Sequence, residues 1–175
     1  MVNDIAGNIG RFIVLVLLQG LILNDVNLWQ GMAIPYLYLL FFLMLPIALP
    51  QWAELLIGLV CGLAIDMFTN TLGIHASACV LLAFTRPQLL RAIAPRDGYE
   101  FGQRPTLSDM GMSWFLKYSV VLIFIHHLWL FFLEVYSFNG FFTTLLRVVL
   151  SGGFTFILVL LCQYLFFSRR TTSYL

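Results

Sequence analysis

Residues 46–75 read PIALPQWAELLIGLVCGLAIDMFTNTLGIH, and the two prolines at the head of this stretch decide how the chain is divided. Pro46 and Pro50 interrupt an otherwise apolar run from residue 34 to residue 69. A single bilayer span needs about 20 apolar residues, so the run is too long for one helix. Helices tend to end at the residue before a proline. The run therefore divides into two spans, 35–49 and 52–69, joined by a sharp turn, and Pro35 suits the first turn of the earlier one.

Working outward, the same criterion gives six spans in one membrane domain over residues 1–175: about 9–29, 35–49, 52–69, 72–90, 113–136 and 142–167. Tight turns are expected at Asn70-Thr71 and Asn139-Gly140. A polar loop at 91–112 holds Pro95, Asp97-Gly98 and Pro105. Within it, Thr106 to Asp109 has the form of a capping box, so a helix is expected to start at Leu107 and run into the fifth span. The first span follows Arg11 as a signal peptide would. No small-residue cleavage site follows it, and an uncleaved first helix is expected.

Composition agrees. Of the 175 residues, 61% are hydrophobic and 10% charged, against about 25% charged in a soluble domain. A water-facing surface cannot be built from so few charges, and the mean hydropathy of +0.95 carries the same message. Seventeen Phe, seven Tyr and four Trp suit a lipid-facing surface with aromatic belts. Cys61, Cys79 and Cys162 lie in apolar runs, without metal-site or disulfide spacing, and are read as small buried residues.

Orientation follows from the basic residues. Six spans put Arg11, Arg86, Arg91, Arg96, Arg104, Lys117, Arg169 and Arg170 on one face and Arg147 alone on the other. The positive-inside rule makes the richer face cytoplasmic, with both termini and the 91–112 loop. A five-span division changes this asymmetry little, so the prolines, not the charges, choose between them.

Ionisable groups inside spans are costly and mark sites or structural locks. Asp66 and His75 lie equally far from the Asn70-Thr71 turn, so an antiparallel hairpin sets them at one depth, where a hydrogen bond would lock the third and fourth spans. A proton relay is the functional alternative, but no third member of a chain is evident. Glu54, Gly58, Gly62 and Asp66 recur every four residues on one face. Gly58 and Gly62 make a GxxxG stripe that permits close approach of another helix, so this face points into the bundle or at a partner. Glu134 and Arg147 flank Asn139-Gly140 in the same mirrored way as an expected ion pair. His126 and His127 point about 100° apart on a helix. They are expected to bond to other helices rather than to share a metal. No protease, nucleotide-binding or paired-aspartate motif is present, no cofactor is implied, and the mixed charge of 91–117 does not suggest nucleic acid. Membrane lipid is the expected neighbour of its basic residues. The first span holds no charge from Phe12 to Leu23. Gln19 and Gly20 are its only polar or small marks, which makes them the expected face for a single-pass membrane partner.

Two of these segments carry a family resemblance. Gly58-Leu-Val-Cys-Gly-Leu-Ala-Ile-Asp66 followed by Leu72-Gly73-Ile74-His75-Ala76 resembles the core signature of the rod shape-determining protein family MreD. Pro35-Tyr36 and the overall length resemble the family as well, and Ile125 to Glu134 is similar to its Bacteroidota-like branch. The resemblance implies an all-α integral membrane protein of about six helices, similar in fold to the substrate-binding subunits of energy-coupling-factor transporters. It also implies a non-enzymatic scaffold of the cell-elongation machinery (the elongasome) in the bacterial inner membrane, supporting peptidoglycan synthesis and cell shape. The implied partners are an MreC-like single-pass protein, a RodA-type glycosyltransferase, a class B penicillin-binding protein and an MreB-like actin homologue. Gly58, Gly62, Asp66, Gly73 and His75 fall on the family's motif and are expected to serve structure. Two other readings stand beside it. A vitamin-binding transporter subunit shares the implied fold, but the bulky first span lacks the Ala-x3-Ala pattern that docks a coupling subunit. An intramembrane enzyme would use Asp66 and His75.

Overall fold

A computed structural model describes residues 2–26, 31–136 and 140–166, with side chains from Ala6 onward. The described residues form helices and no strands. In chain order these are α1 (Val2–Leu21), α2 (Leu39–Leu43), α3 (Gln51–Thr69), α4 (Ile74–Ala92), α5 (Leu107–Met110), α6 (Met112–Val135) and α7 (Phe141–Phe166), with a 3-10 turn at Leu23–Asp25 after α1. Four of the helical segments are long and apolar enough to cross a membrane: Ala6–Asp25, α3, α6 and α7. They make this a membrane-spanning protein. α4 matches α3 in length, but Arg86, Pro87 and Arg91 make it less apolar.

The elements differ from the expected spans in three places. α1 starts at Val2 rather than near residue 9 and ends at Leu21; the expected continuation to residue 29 reaches outside the described residues, as do Asn139 and Phe167. The fifth span does start with the Thr106 cap, whose hydroxyl accepts from Asp109 N at 3.3 Å. It then breaks at Gly111, where φ is +80°, a conformation that costs glycine little and ends α5 before α6 begins.

The third difference is the largest. The helix expected over 35–49 is a single five-residue helix, α2, between non-helical flanks. Pro35 and Pro46 deny the ends a regular ladder. Irregular backbone at membrane depth is tolerated only where protein satisfies its polar groups, and four other elements do so here. Ile34 N donates to Ser151 Oγ at 3.0 Å and Tyr36 N to Thr155 Oγ1 at 2.9 Å, both on α7. Gln19 on α1 accepts from Leu37 N at 2.8 Å and donates to the Pro35 carbonyl at 2.9 Å. Tyr118 on α6 donates to Leu43 O at 3.1 Å, and Arg86 on α4 to Leu45 O at 2.5 Å. Tyr36 to Leu45 are all buried, so this segment is the centre of the core.

The contacts also fix relative directions. Gly20, near the end of α1, faces the ring of Phe68, near the end of α3. The two helices thus finish at the same end of the bundle. The chain between them starts at that end, beside Gln19, and reaches Arg86 near the start of α3, so residues 31–50 return it through the middle of the fold.

α3 and α4 form an antiparallel hairpin. A Cβ at Gly58 would lie 2.9 Å from Cys79 O, and one at Gly62 2.6 Å from Ala76 N. No side chain fits at either place. The stripe is therefore filled by α4 of the same chain and is not a partner face. Gln19 and Gly20 are likewise internal. Gln19 is fully buried on the residue 35–37 backbone, and a Cβ on Gly20 would lie 2.6 Å from a Phe68 ring carbon. The outward face of α1 is instead Ile9, Ile13, Val14, Leu17 and Leu21. Cys61 and Cys79 are buried as expected, whereas Cys162 is half-buried.

Candidate functional site

The ionisable and polar side chains inside the bundle fall into three groups. The first lies at the α3–α4 turn. Asn70 adopts φ +54° and Gly73 φ +82°, left-handed positions that asparagine and glycine tolerate best. Gly73 precedes α4 but has no side chain to satisfy its free N–H groups. Asp66, reaching across from α3, takes that role. Its Oδ1 accepts from His75 N and its Oδ2 from Ala76 N, each at 3.0 Å, and the Thr71 hydroxyl also donates to Oδ1. His75 Nδ1 is 3.1 Å from the same oxygen. The close contact at Gly62, one turn below, is what brings Ala76 N within reach. A carboxylate at a helix N-terminus is favourable for the helix dipole as well. The structure thus brings Asp66 and His75 together, with Gly62 and Gly73 shaping the turn that unites them.

The second group lies about 18 Å along α3, twelve residues at 1.5 Å each. Arg86 is 0% exposed. Its Nη1 donates to Glu54 Oε1 at 2.5 Å, its Nη2 to Leu45 O at 2.5 Å and its Nε to the Tyr118 hydroxyl at 2.7 Å. Tyr118 stacks on Trp114, ring centroids 4.8 Å apart. One guanidinium therefore joins α3, α4, α6 and the segment after α2. Sequence reading placed Arg86 with the loop charges, and the structure corrects this: buried and paired, it contributes nothing to a cytoplasmic basic surface. The signal was available. Glu54 is twelve positions before Asp66 and Arg86 eleven after His75, so the mirror argument that pairs Asp66 with His75 pairs these two as well.

The third group joins α6 to the core. The Tyr38 hydroxyl is 2.7 Å from His126 Nε2. His127 Nδ1 is 2.8 Å from Ile123 O and its Nε2 3.3 Å from Thr155 Oγ1. Each histidine thus reaches a different element, as their angular separation requires. The Tyr36 ring packs between them and His75, at centroid distances of 5.3–6.1 Å. Among the described residues, no three His, Cys, Asp or Glu side chains are grouped so as to hold a metal ion.

At the Asp66 end, Arg147 of α7 pairs with Glu134 of α6, 3.1 Å from Nη1 to Oε2. The guanidinium lies 4.3 Å from the centroid of the Phe131 ring. This pair lines an open cleft of about 180 Å³, whose walls also include Asn24, Tyr36 and His75. Residue spacing carries no sign of this cleft. No family model, curated protein or solved structure matches this chain.

Proposed function

We propose that this chain is a non-enzymatic membrane scaffold of the MreD type, acting in the bacterial cell-elongation machinery. In this reading it crosses the inner membrane six times, with residues 31–50 as an irregular second crossing. Both termini and the 91–112 loop are then cytoplasmic. Arg91, Arg96, Arg104 and Lys117 keep the basic asymmetry of that face after Arg86 is set aside, with Arg147 opposite.

The observation that carries the reading is the use made of the motif residues. Gly58 and Gly62 admit α4, Gly73 makes the turn, and Asp66 and His75 close it. All five serve one rigid hairpin, as a scaffold signature would. Partner proteins of the implied kinds, an MreC-like single-pass protein foremost, then contact surfaces other than Gln19-Gly20 and Gly58-Gly62, which the chain itself fills.

The test is depletion of the protein in its own bacterium, with affinity capture of the tagged chain. Rounded cells and capture of the MreC-like protein are expected. Unchanged shape with loss of uptake of a vitamin would overturn the scaffold in favour of a transporter subunit.

A further inference from the structure

The loop after α4 is fastened to the bundle at three points. The Tyr99 hydroxyl donates to Leu90 O at 2.6 Å and Trp114 Nε1 to Ile93 O at 3.1 Å, and the Tyr99 and Trp114 rings meet edge to face, 6.1 Å between centroids. Farther on, Leu107 N donates to Gln163 Oε1 of α7 at 3.2 Å. Between these ties the chain turns twice. Gly98 and Gly102 take φ of +78° and +79°, and Gln103 N donates back to Glu100 O at 3.1 Å. Ile93, Tyr99 and Leu107 pack against the core. Phe101, in the second turn, is fully exposed. A single exposed apolar side chain is ordinary on a protein surface; what sets Phe101 apart is its place. α3 crosses the membrane with 19 residues, a rise of about 28 Å, close to the hydrocarbon thickness of about 30 Å. α4, antiparallel to it and equally long, therefore ends at the membrane boundary. The tie to Leu90, in the last turn of α4, folds Tyr99 back to that boundary. Phe101 is two residues on, its Cα within about 7 Å of that of Tyr99, and the headgroup zone beyond the hydrocarbon is about 5–8 Å deep.

We propose that Phe101 is a membrane anchor, whose ring enters the headgroup zone of the adjacent leaflet and holds the 91–112 loop against the lipid. A soluble partner would have to displace headgroups to reach a side chain at this depth. Charge is not the main attraction. Residues 91–117 carry the cations Arg91, Arg96, Arg104 and Lys117 and the acids Asp97, Glu100 and Asp109, so little net pull toward anionic lipid remains. Apolar contact through Phe101 is what is left. The ties to Leu90, Ile93 and Gln163 set the loop in place beforehand, so insertion orders little chain. The inference goes beyond the scaffold reading and does not rest on it, since it needs only that the α3–α4 hairpin crosses the membrane.

The test places a nitroxide at Glu100→Cys, an exposed position beside Phe101, in the full chain with Cys162 replaced by serine; Cys61 and Cys79 are buried. The protein would be reconstituted in vesicles of phosphatidylethanolamine and phosphatidylglycerol. Collisions of the nitroxide with oxygen report lipid, and collisions with a water-soluble nickel chelate report water. With Phe101 in place, oxygen should dominate, as it should at a control nitroxide on the lipid-facing Leu59→Cys of α3. Adding Phe101→Ser should shift the balance toward the chelate about three- to tenfold, the worth of half a buried Phe side chain, with the thermal midpoint in detergent unchanged. The balance with Phe101 present should hold when phosphatidylcholine replaces phosphatidylglycerol. A chelate-dominated signal with Phe101 present would put the loop in water, and shielding from both reagents would put it against protein. An unchanged balance in Phe101→Ser would give the anchoring to other residues, and loss of oxygen contact in phosphatidylcholine would give it to charge. Each of these four results overturns the proposal.

Discussion

Replacing Arg86 by methionine tests whether the guanidinium holds the bundle together. Methionine keeps much of the length and fills apolar space, but it leaves Glu54 and Leu45 O without their donor. Removing one partner of a buried pair costs about 3–5 kcal/mol. The stranded Leu45 carbonyl adds about 1–3 kcal/mol. Against a typical stability of about 5–15 kcal/mol, the single variant should be at or near the edge of folding. For a chain of this size about 2–4 °C accompanies each kcal/mol, so a drop of 10 °C or more is expected in a thermal scan in mild detergent. Glu54→Leu alone leaves the guanidinium two of its three partners and should also destabilise.

The combined variant, Arg86→Met with Glu54→Leu, separates charge from packing. It strands no charge, so only the Leu45 carbonyl and Tyr118 lose a partner. The expected result is a double variant more stable than Arg86→Met, with a coupling energy of about 2 kcal/mol or more. A single variant with a wild-type midpoint would refute the reasoning. So would a double variant whose loss equals the sum of the two single losses.

Two further outcomes follow from the same geometry. Asp66→Asn keeps one acceptor oxygen for α4 and should cost about 1–3 kcal/mol; Asp66→Leu keeps none and should cost more, and equal midpoints for the two would show that Asp66 does not cap α4. In the six-crossing arrangement, a membrane-impermeant maleimide applied to intact cells should label Leu72→Cys and spare Phe101→Cys, both fully exposed positions at opposite ends of the bundle, in a background lacking Cys162; labelling of both sites, or of Phe101→Cys alone, would reverse or abolish that topology.

The parts of this fold that were legible in the sequence share one property: they depend on a period or on a turn. The stripe from Glu54 to Asp66 follows from the helical repeat, the Asp66–His75 contact from equal distances to a turn, and the Glu134–Arg147 contact from flanking one. The segment 31–50 has neither feature. Its apolar run looks like a helix because burial on all sides demands apolar side chains whatever the backbone does. What makes it irregular is Pro35 and Pro46, and what makes irregularity affordable is a set of hydroxyls and amides from α1, α6 and α7. Ser151, Thr155, Gln19 and Tyr118 are each unremarkable as single residues in apolar helices. Their meaning depends on a backbone more than 70 residues distant in most cases, and no local pattern encodes that pairing.

Gln19 shows how the same residue supports opposite readings. In an uncharged helix, a lone glutamine beside a glycine looks like a sticky spot for another chain, because a polar group in lipid seeks a partner. That argument is sound as far as it goes: Gln19 does have partners. They are the Pro35 carbonyl and the Leu37 N–H of its own chain, and the missing side chain at Gly20 admits Phe68. The proline at 35 supplies the link. Where a proline interrupts an apolar run, it frees backbone groups that must be satisfied within the membrane, and a glutamine at matching depth can serve both a donor and an acceptor with one side chain. A polar residue in an apolar span should therefore be weighed first against the backbone freed by prolines in the same chain, and only then against a partner. If the chain is a scaffold as proposed, the surface left for its partners is apolar, and recognition there would rest on shape, since lipid supplies no hydrophobic drive for one helix to leave it for another.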